Sequence, residues 1–175
     1  MMVRLAEQEE IEAVMAFYGD VIDALKDSDI PLGWKKGVYP TREMVRRAAG
    51  QKELYLAFES EEIAGALILN REFNEGYLQV PWKTEAEPDK VSVIHAFAVS
   101  PGYRGRGTGR RLLAAVCKER RNRGDHAIRL DVLTQNVPAV RLYESAGFQL
   151  ADVRKLYYEP IGTQEFCLYE YGLRK

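Results

Sequence analysis

Near its start the chain sets apolar residues at helical steps. Ile11, Val14, Met15, Tyr18, Ile22 and Leu25 follow at intervals of three and four, which predicts an amphipathic helix stopping near Asp27-Ser28. Asp29 to Pro40 carries two prolines, two glycines, Trp34 and Tyr39, and reads as a loop. Thr41 suits an N-cap, Glu43 a first helical turn, and Gly50 the close of a short second helix.

The pattern then becomes that of strands. Leu54 to Phe58 and Ile63 to Leu69 are joined by the acidic turn Glu59-Ser60-Glu61-Glu62. Asn70 to Lys90 is long and polar, with Tyr77 to Trp82 expected as a short strand within it. Val91 to Val99 is β-branched and apolar almost throughout, the mark of a central strand. A glycine-rich loop leads to a helix from about Gly109 to Arg123, with Leu112, Leu113 and Val116 facing the core and Gly124 as its C′ residue. Ala127 to Leu133 is the next strand; Asn136 caps a helix through Tyr143 to Ala146, and Gly147 ends it. Strands at about Gln149 to Tyr158 and Gln164 to Tyr171 complete the order. Two helices, three or more strands, helix, strand, helix and two strands imply a mixed α/β sheet with helices on both faces. At 175 residues the chain is expected to form one domain, residues 1–175.

Composition narrows the function classes. Hydrophobic residues make up 46% and charged residues 29%, which excludes a disordered chain. Unbroken apolar runs reach seven residues at most, against the ~20 of a membrane span, so no membrane partner is expected. The opening Met-Met-Val-Arg-Leu-Ala-Glu lacks the apolar core of a secretory leader. Cys117 and Cys167 form no CxxC and, with His95 and His126, show no metal-ligand spacing, so no metal is expected. Both thiols are expected in the core of a cytoplasmic protein.

The net charge of −1 is unevenly spread. Residues 101–124 hold eight basic groups against the single acid Glu119, a local +7 that leaves −8 elsewhere. A basic cluster on a near-neutral chain points to a small anionic ligand rather than a nucleic acid, a solvated arginine-rich helix face being the other reading.

The loop Val99-Ser100-Pro101-Gly102-Tyr103-Arg104-Gly105-Arg106-Gly107-Thr108-Gly109 joins a buried strand to a helix, where glycine-freed amides can cradle phosphate oxygens. A P-loop needs GxxxxGK[ST], and the lysine is missing; a dinucleotide fingerprint needs a third glycine where Arg110 stands, although Asp131 would suit its ribose-binding acid. Arg104-Gly105-Arg106-Gly107-Thr108-Gly109 is instead R-x-x-G-x-G, and Asn136 to Phe148 reads N-x-x-A-x-x-L-Y-x-x-x-G-F. On these two blocks, in this order, the chain resembles the GNAT superfamily of N-acetyltransferases.

The resemblance implies the GNAT acyl-CoA N-acyltransferase fold, a central mixed sheet with two splayed parallel strands, here Val91–Val99 and Ala127–Leu133. It implies acetyl-CoA (coenzyme A) as cosubstrate, its pantetheine arm on the backbone of Phe97, Ala98 and Val99. The pyrophosphate would lie on Arg104, Gly105, Arg106, Gly107, Thr108, Gly109 and Arg110, inside the +7 segment. Lys118, Arg120, Arg121 and Arg123 lie at the far end of the helix and complement its C-terminal dipole instead. Tyr143 stands where many members carry the tyrosine that protonates the leaving thiolate, a half-buried helix tyrosine being the alternative. Asn136 either caps its helix alone or also touches the cofactor.

Histone-directed members place a glutamate six residues before the position of Val99, and here that residue is Val93. His95-Ala96-Phe97-Ala98-Val99 resembles the arylalkylamine acetyltransferases, where a histidine at this place is implicated in proton removal; a structural histidine is the rival reading. Strand alternation would put Val93, His95, Phe97 and Val99 on one face. Family walls of the acceptor site nominate Trp34, Tyr39, Tyr77, Trp82, Tyr157 and Tyr158, each equally suited to anchoring a loop. The expected activity is direct transfer of acetyl to a primary amine of a small molecule or peptide. A non-catalytic acyl-CoA sensor on the same fold is the alternative, and a homodimer is compatible with either.

Overall fold

The computed structural model describes residues 1–26, 28–30 and 33–174. Asp27, at the expected end of the first helix, and Pro31 of the expected loop lie outside the described residues. The chain divides into two units, Met1–Leu69 with His95–Leu112 and Asn70–Ile94 with Leu113–Lys175.

In the first unit β1 (Met2–Leu5) pairs antiparallel with β2 (Leu54–Glu59), and β2 with β3 (Glu62–Asn70). The sequence pattern did not single out β1, a four-residue strand whose inward positions are only half-buried. The β2–β3 turn needs left-handed backbone at Ser60 and Glu61, φ +48° and +69°, the twist that a tight hairpin requires. Helix α1 (Ile11–Leu25) buries Val14, Phe17, Tyr18, Val21 and Leu25. Helix α2 (Arg42–Gly50) begins as expected at Thr41, whose side chain accepts from the Met44 amide at 3.1 Å. Both helices seal one core with Leu54, Leu56, Ala66 and Ile68, the inward-facing residues of β2 and β3.

Strand β4 (Val91–Val99) supplies residues to both units. In the first, its Ala96 and Ala98 join that α1–α2 core, and the Ser100 amide donates to Ala64 O at 2.9 Å. Gly65 allows this close approach, since a Cβ there would crowd Ala98 O at 3.2 Å. Helix α3 (Thr108–Asn122) ends as expected at Gly124, φ +84°, where the Gly124 and Asp125 amides return to the Arg121 and Arg120 carbonyls.

In the second unit β4 pairs parallel with β5 (Ala127–Leu133) at Val91↔Ala127, Ser92↔Ile128 and Val93↔Arg129. β5 then pairs antiparallel with β7 (Gly162–Gly172), and β7 with β6 (Gln149–Tyr158). The described strands thus form one seven-stranded mixed sheet in the order β1-β2-β3-β4-β5-β7-β6. Helix α4 (Val137–Ser145) brings Tyr143 against Tyr169 of β7. The alternate residues of β7, Phe166 and Leu168, pack with Val93 and Leu156 under Tyr77 and Val80.

The short strand expected at Tyr77 to Trp82 is not formed. Glu75–Gln79 is a 3-10 turn, because the Asn74 side chain accepts from the Gly76 amide and draws the backbone into a local cap. Among the described residues no helix is long and apolar enough to cross a membrane.

Candidate active site

The glycine loop belongs to the first unit. Beyond β4 a 3-10 turn, Pro101–Tyr103, leads into it, and α3 opens at Thr108. Gly105 and Gly107 have φ +72° and +77°, a conformation that L residues rarely take. Nothing lies within 4 Å of where their Cβ atoms would stand, so the space beside them is open. Arg104, Gly105, Arg106, Gly107 and Arg110 are exposed, while Thr108 and Gly109 are buried. Thr108 Oγ1 is buried without a hydrogen-bond partner in the protein, at the helix terminus where free amides collect.

The acidic β2–β3 turn braces this loop. Tyr103 Oη donates to Glu62 Oε2 at 2.8 Å, and Arg111 Nη2 to Glu59 Oε1 at 2.6 Å. Arg106 lies over the Tyr103 ring, 5.5 Å from its centroid. Arg111 is therefore committed to the protein; the cations of the loop proper are Arg104 and Arg106, and Arg110 stands in the first turn of α3.

Within β4, His95, Phe97 and Val99 are half-buried and alternate with buried Ala96 and Ala98. The strand is not uniformly extended: Ala96 is left-handed at φ +48°. Val93 differs from the residues expected to share its face, since it is 1% exposed and sealed with Tyr77, Leu156 and Leu168.

Asn136 and Tyr143 belong to the second unit. Asn136 Oδ1 accepts from the Ala139 amide at 3.3 Å, the cap that the sequence implies. Tyr143 is 6% exposed, more enclosed than a half-buried helix residue.

A carboxylate cluster that sequence reasoning did not assemble lies in the same unit. Asp131 Oδ2 accepts from both Tyr77 Oη and Tyr158 Oη at 2.7 Å. Burial and then the Asp131 charge push the Tyr77 phenol well above its ordinary range, so it stays a donor. Two residue pairs along the sheet, Arg129 Nε donates to Glu170 Oε2 at 2.9 Å, and its guanidinium lies 4.3 Å from the Trp82 ring centroid. The signal was present in the alternation of β5, which turns Arg129 and Asp131 toward the same face as Leu133. Their partners, from 27 to 54 residues away, were not readable.

Most of the nominated aromatics serve as anchors. Trp34 and Tyr39 stack edge-on with each other, and Trp34 with Tyr18, at 5.7 and 5.9 Å. Tyr157 is 64% exposed. Cys117 is buried, which pushes its thiol up to about 12, whereas Cys167 is only half-buried rather than a core residue. Among the described residues no group of three or more His, Cys, Asp or Glu side chains is placed to hold a metal. Arg120, expected at the far end of its helix as a complement to the C-terminal dipole, is buried at 7% exposure.

Residues 21–148 match the model of the acetyltransferase (GNAT) family. The chain belongs to that family. Both motif blocks fall within the match. Over 75 residues this GNAT chain is 37% identical to the N-alpha-acetyltransferase RimI of Mycobacterium tuberculosis, covering 43% of this chain and 46% of that one. Over 150 residues it is 29% identical to the ribosomal protein bS18-alanine N-acetyltransferase of Escherichia coli K12, covering 83% of this chain and 92% of that one. The mycobacterial relatives are matched over less than half their length, 20% for a Mycobacterium leprae protein and 46% for RimI. The structure of Salmonella typhimurium yncA, solved with acetyl-CoA, has a TM-score of 0.70 at 18% identity and covers 100% of this chain and 95% of its own. Likeness at that identity shows a shared fold.

Proposed function

We propose that this GNAT chain is an acetyl-CoA-dependent N-acetyltransferase acting by direct transfer on a primary amine of a peptide or small molecule. The observation that carries the reading is the mouth of α3. Two left-handed glycines with open space beside them, and a buried Thr108 hydroxyl lacking a protein partner, fit a group rich in anionic oxygens. The yncA structure solved with acetyl-CoA supports that identity for the group.

In this reading the amides of Arg104 to Arg110 hold the pyrophosphate, and the backbone of Phe97, Ala98 and Val99 holds the pantetheine arm. Bound acetyl-CoA supplies an activated thioester. His95 takes a proton from the ammonium of the acceptor, leaving a nitrogen lone pair. As that nitrogen bonds to the acetyl carbon, the carbon–sulfur bond breaks and Tyr143 gives its phenolic proton to the thiolate. The nitrogen sheds its second proton to give the neutral amide, and that proton makes good the one lost by the phenol. Asn136 orients α4 through its cap.

The likeness to the ribosomal protein bS18-alanine N-acetyltransferase of Escherichia coli supports a protein or peptide amine as the first acceptor to try. The free thiols of Cys117 and Cys167 support a reducing, cytoplasmic setting, and we assign residues 1–175 to one GNAT domain.

The test is thiol release from acetyl-CoA against a panel of peptide N-termini, polyamines, amino acids and arylalkylamines, with calorimetry of CoA on the wild type and on Gly107→Asp. Aspartate tolerates the left-handed backbone yet sets a carboxylate beside the pyrophosphate, so affinity should fall at least about tenfold in a folded protein. Undiminished CoA binding by that variant refutes the placement. CoA binding without turnover on any amine refutes the enzyme in favour of a sensor.

A further inference from the structure

Ala96 takes a left-handed φ of +48° inside β4, between His95 and Phe97. Alanine gains nothing from this conformation by itself, so the surroundings must hold it there. A peptide turned out of the ladder also leaves its carbonyl in need of a donor when it is buried. That donor is on α1: Tyr18 Oη donates to Ala96 O at 2.7 Å, in the buried interior.

Tyr18 is well fixed for the task. It is 1% exposed, and its ring stands edge-on to Phe17 at 5.2 Å and to Trp34 at 5.9 Å. Trp34 in turn meets Tyr39, so two aromatics of the segment before α2 rest on the residue that holds the strand. Burial first, and then the neighbouring Tyr39, push the Tyr18 phenol well above its ordinary range, and it stays a donor wherever the protein is folded.

We propose that Tyr18 is a positioning residue, which fixes the kink at Ala96 and thereby the directions in which His95 presents its imidazole and Phe97 its amide. In a trans peptide the carbonyl and the following N–H point opposite ways, so drawing Ala96 O toward α1 turns the Phe97 N–H away from it. The inference rests on the role given above to β4. It adds that the kink is held by α1 and buttressed by Trp34, so a change in that segment reaches the strand through one hydrogen bond.

The test compares Tyr18→Phe, Ala96→Gly and the double variant. Phenylalanine keeps the ring packing and removes only the donor. In Tyr18→Phe, kcat should fall about tenfold or more with acetyl-CoA affinity nearly unchanged, and the Phe97 amide and His95 ring NMR signals should move. Glycine accepts φ +48° without a tether, so adding Ala96→Gly should return kcat to within about threefold of wild type and restore both signals. Unmoved signals in Tyr18→Phe overturn the proposal. A kcat loss that Ala96→Gly does not repair, with melting temperature falling in step, also overturns it and leaves Tyr18 as a packing residue. If the wild type transfers acetyl to no amine, the enzymatic reading fails, while the two NMR signals still decide whether Tyr18 holds the kink.

Discussion

The Phe148 ring packs edge-on against Tyr143, with centroids 5.8 Å apart and planes at 62°, where α4 stops. The backbone makes the same connection. The Phe148 amide donates to Tyr143 O and the Gly147 amide to Glu144 O, both at 3.0 Å, which is the Schellman pattern with its accompanying apolar contact. The Y-x-x-x-G-F block is thus partly a helix-stop signal. Its glycine and phenylalanine hold the end of the helix that carries the tyrosine.

Gly147→Ala tests that reading. Gly147 has φ +92°, and a Cβ there would come within 3.2 Å of Tyr171 Cε2. The strain should cost about 1–3 kcal/mol, lowering the melting temperature by about 2–10 °C in a chain of this size. An unchanged melt would show that the helix stop tolerates another backbone route.

Tyr143→Phe separates the block's structural part from its chemical part. The ring contacts with Phe148 and Tyr169 survive, and only the hydroxyl is lost. We expect kcat to fall by about 10²-fold or more, acetyl-CoA affinity to change little, and the melting temperature to stay within a few degrees. A kcat within about threefold of wild type would remove Tyr143 from proton transfer.

The Arg71–Asp125 pair should make stability depend on pH. Arg71 donates to both Asp125 oxygens at 2.9 and 2.7 Å, and Ser92 Oγ to one of them at 2.6 Å. Burial pushes the Asp125 carboxyl up, but the Arg71 and Ser92 hydrogen bonds and the Arg71 charge hold it below its ordinary value. Such a group adds stability above about pH 4, and the gain is lost as pH falls through the lower folded value. Arg71→Met should therefore cost about 2 kcal/mol at pH 7, below the usual figure for a broken buried pair because the Arg71 side chain is 41% exposed. The melting-temperature gap, about 4–8 °C, should narrow as pH falls below about 4. A gap independent of pH would mean that packing, not charge, is lost.

Local signals were legible and distant partners were not. Thr41, Asn136, Gly124 and Gly147 each act within a few residues, so sequence spacing suffices to place the helix ends. The Val91–Val99 strand was equally plain from its composition, but nothing in a run of β-branched residues announces that Ala96 turns left-handed, because the tether is Tyr18, 78 residues earlier. The Tyr77 segment misled for a similar reason. Its apolar residues suggest a strand, whereas the Asn74 cap and the Tyr77–Asp131 bond shape it into a turn. β1 escaped notice because one exposed and three half-buried residues carry too little periodicity to mark a strand.

His95 is the residue on which proton removal should turn. It is half-buried on β4 beside the left-handed Ala96, and Val93, where a carboxylate would otherwise serve, is enclosed among apolar side chains. If His95 takes the ammonium proton, kcat/KM should rise through an acidic limb in the imidazole range, about pH 6.5 for an unperturbed ring. The sign follows from the chemistry: below the limb the imidazole is already protonated and cannot accept, and above it the neutral ring can. His95→Ala should flatten that limb and lower the rate at neutral pH, with a smaller loss at high pH, where more of the amine is already neutral. His95→Gln keeps much of the volume and should behave alike, which separates proton transfer from packing. A structural histidine gives the opposite pattern, a lower melting temperature for the alanine variant and an unaltered limb in the folded enzyme. Rate profiles from about pH 5 to 9 for wild type and both variants, measured beside thermal melts, decide between the two. A limb that survives both substitutions transfers the role elsewhere, and Asp131, with its two phenolic donors, is then the first group to replace, by Asp131→Asn.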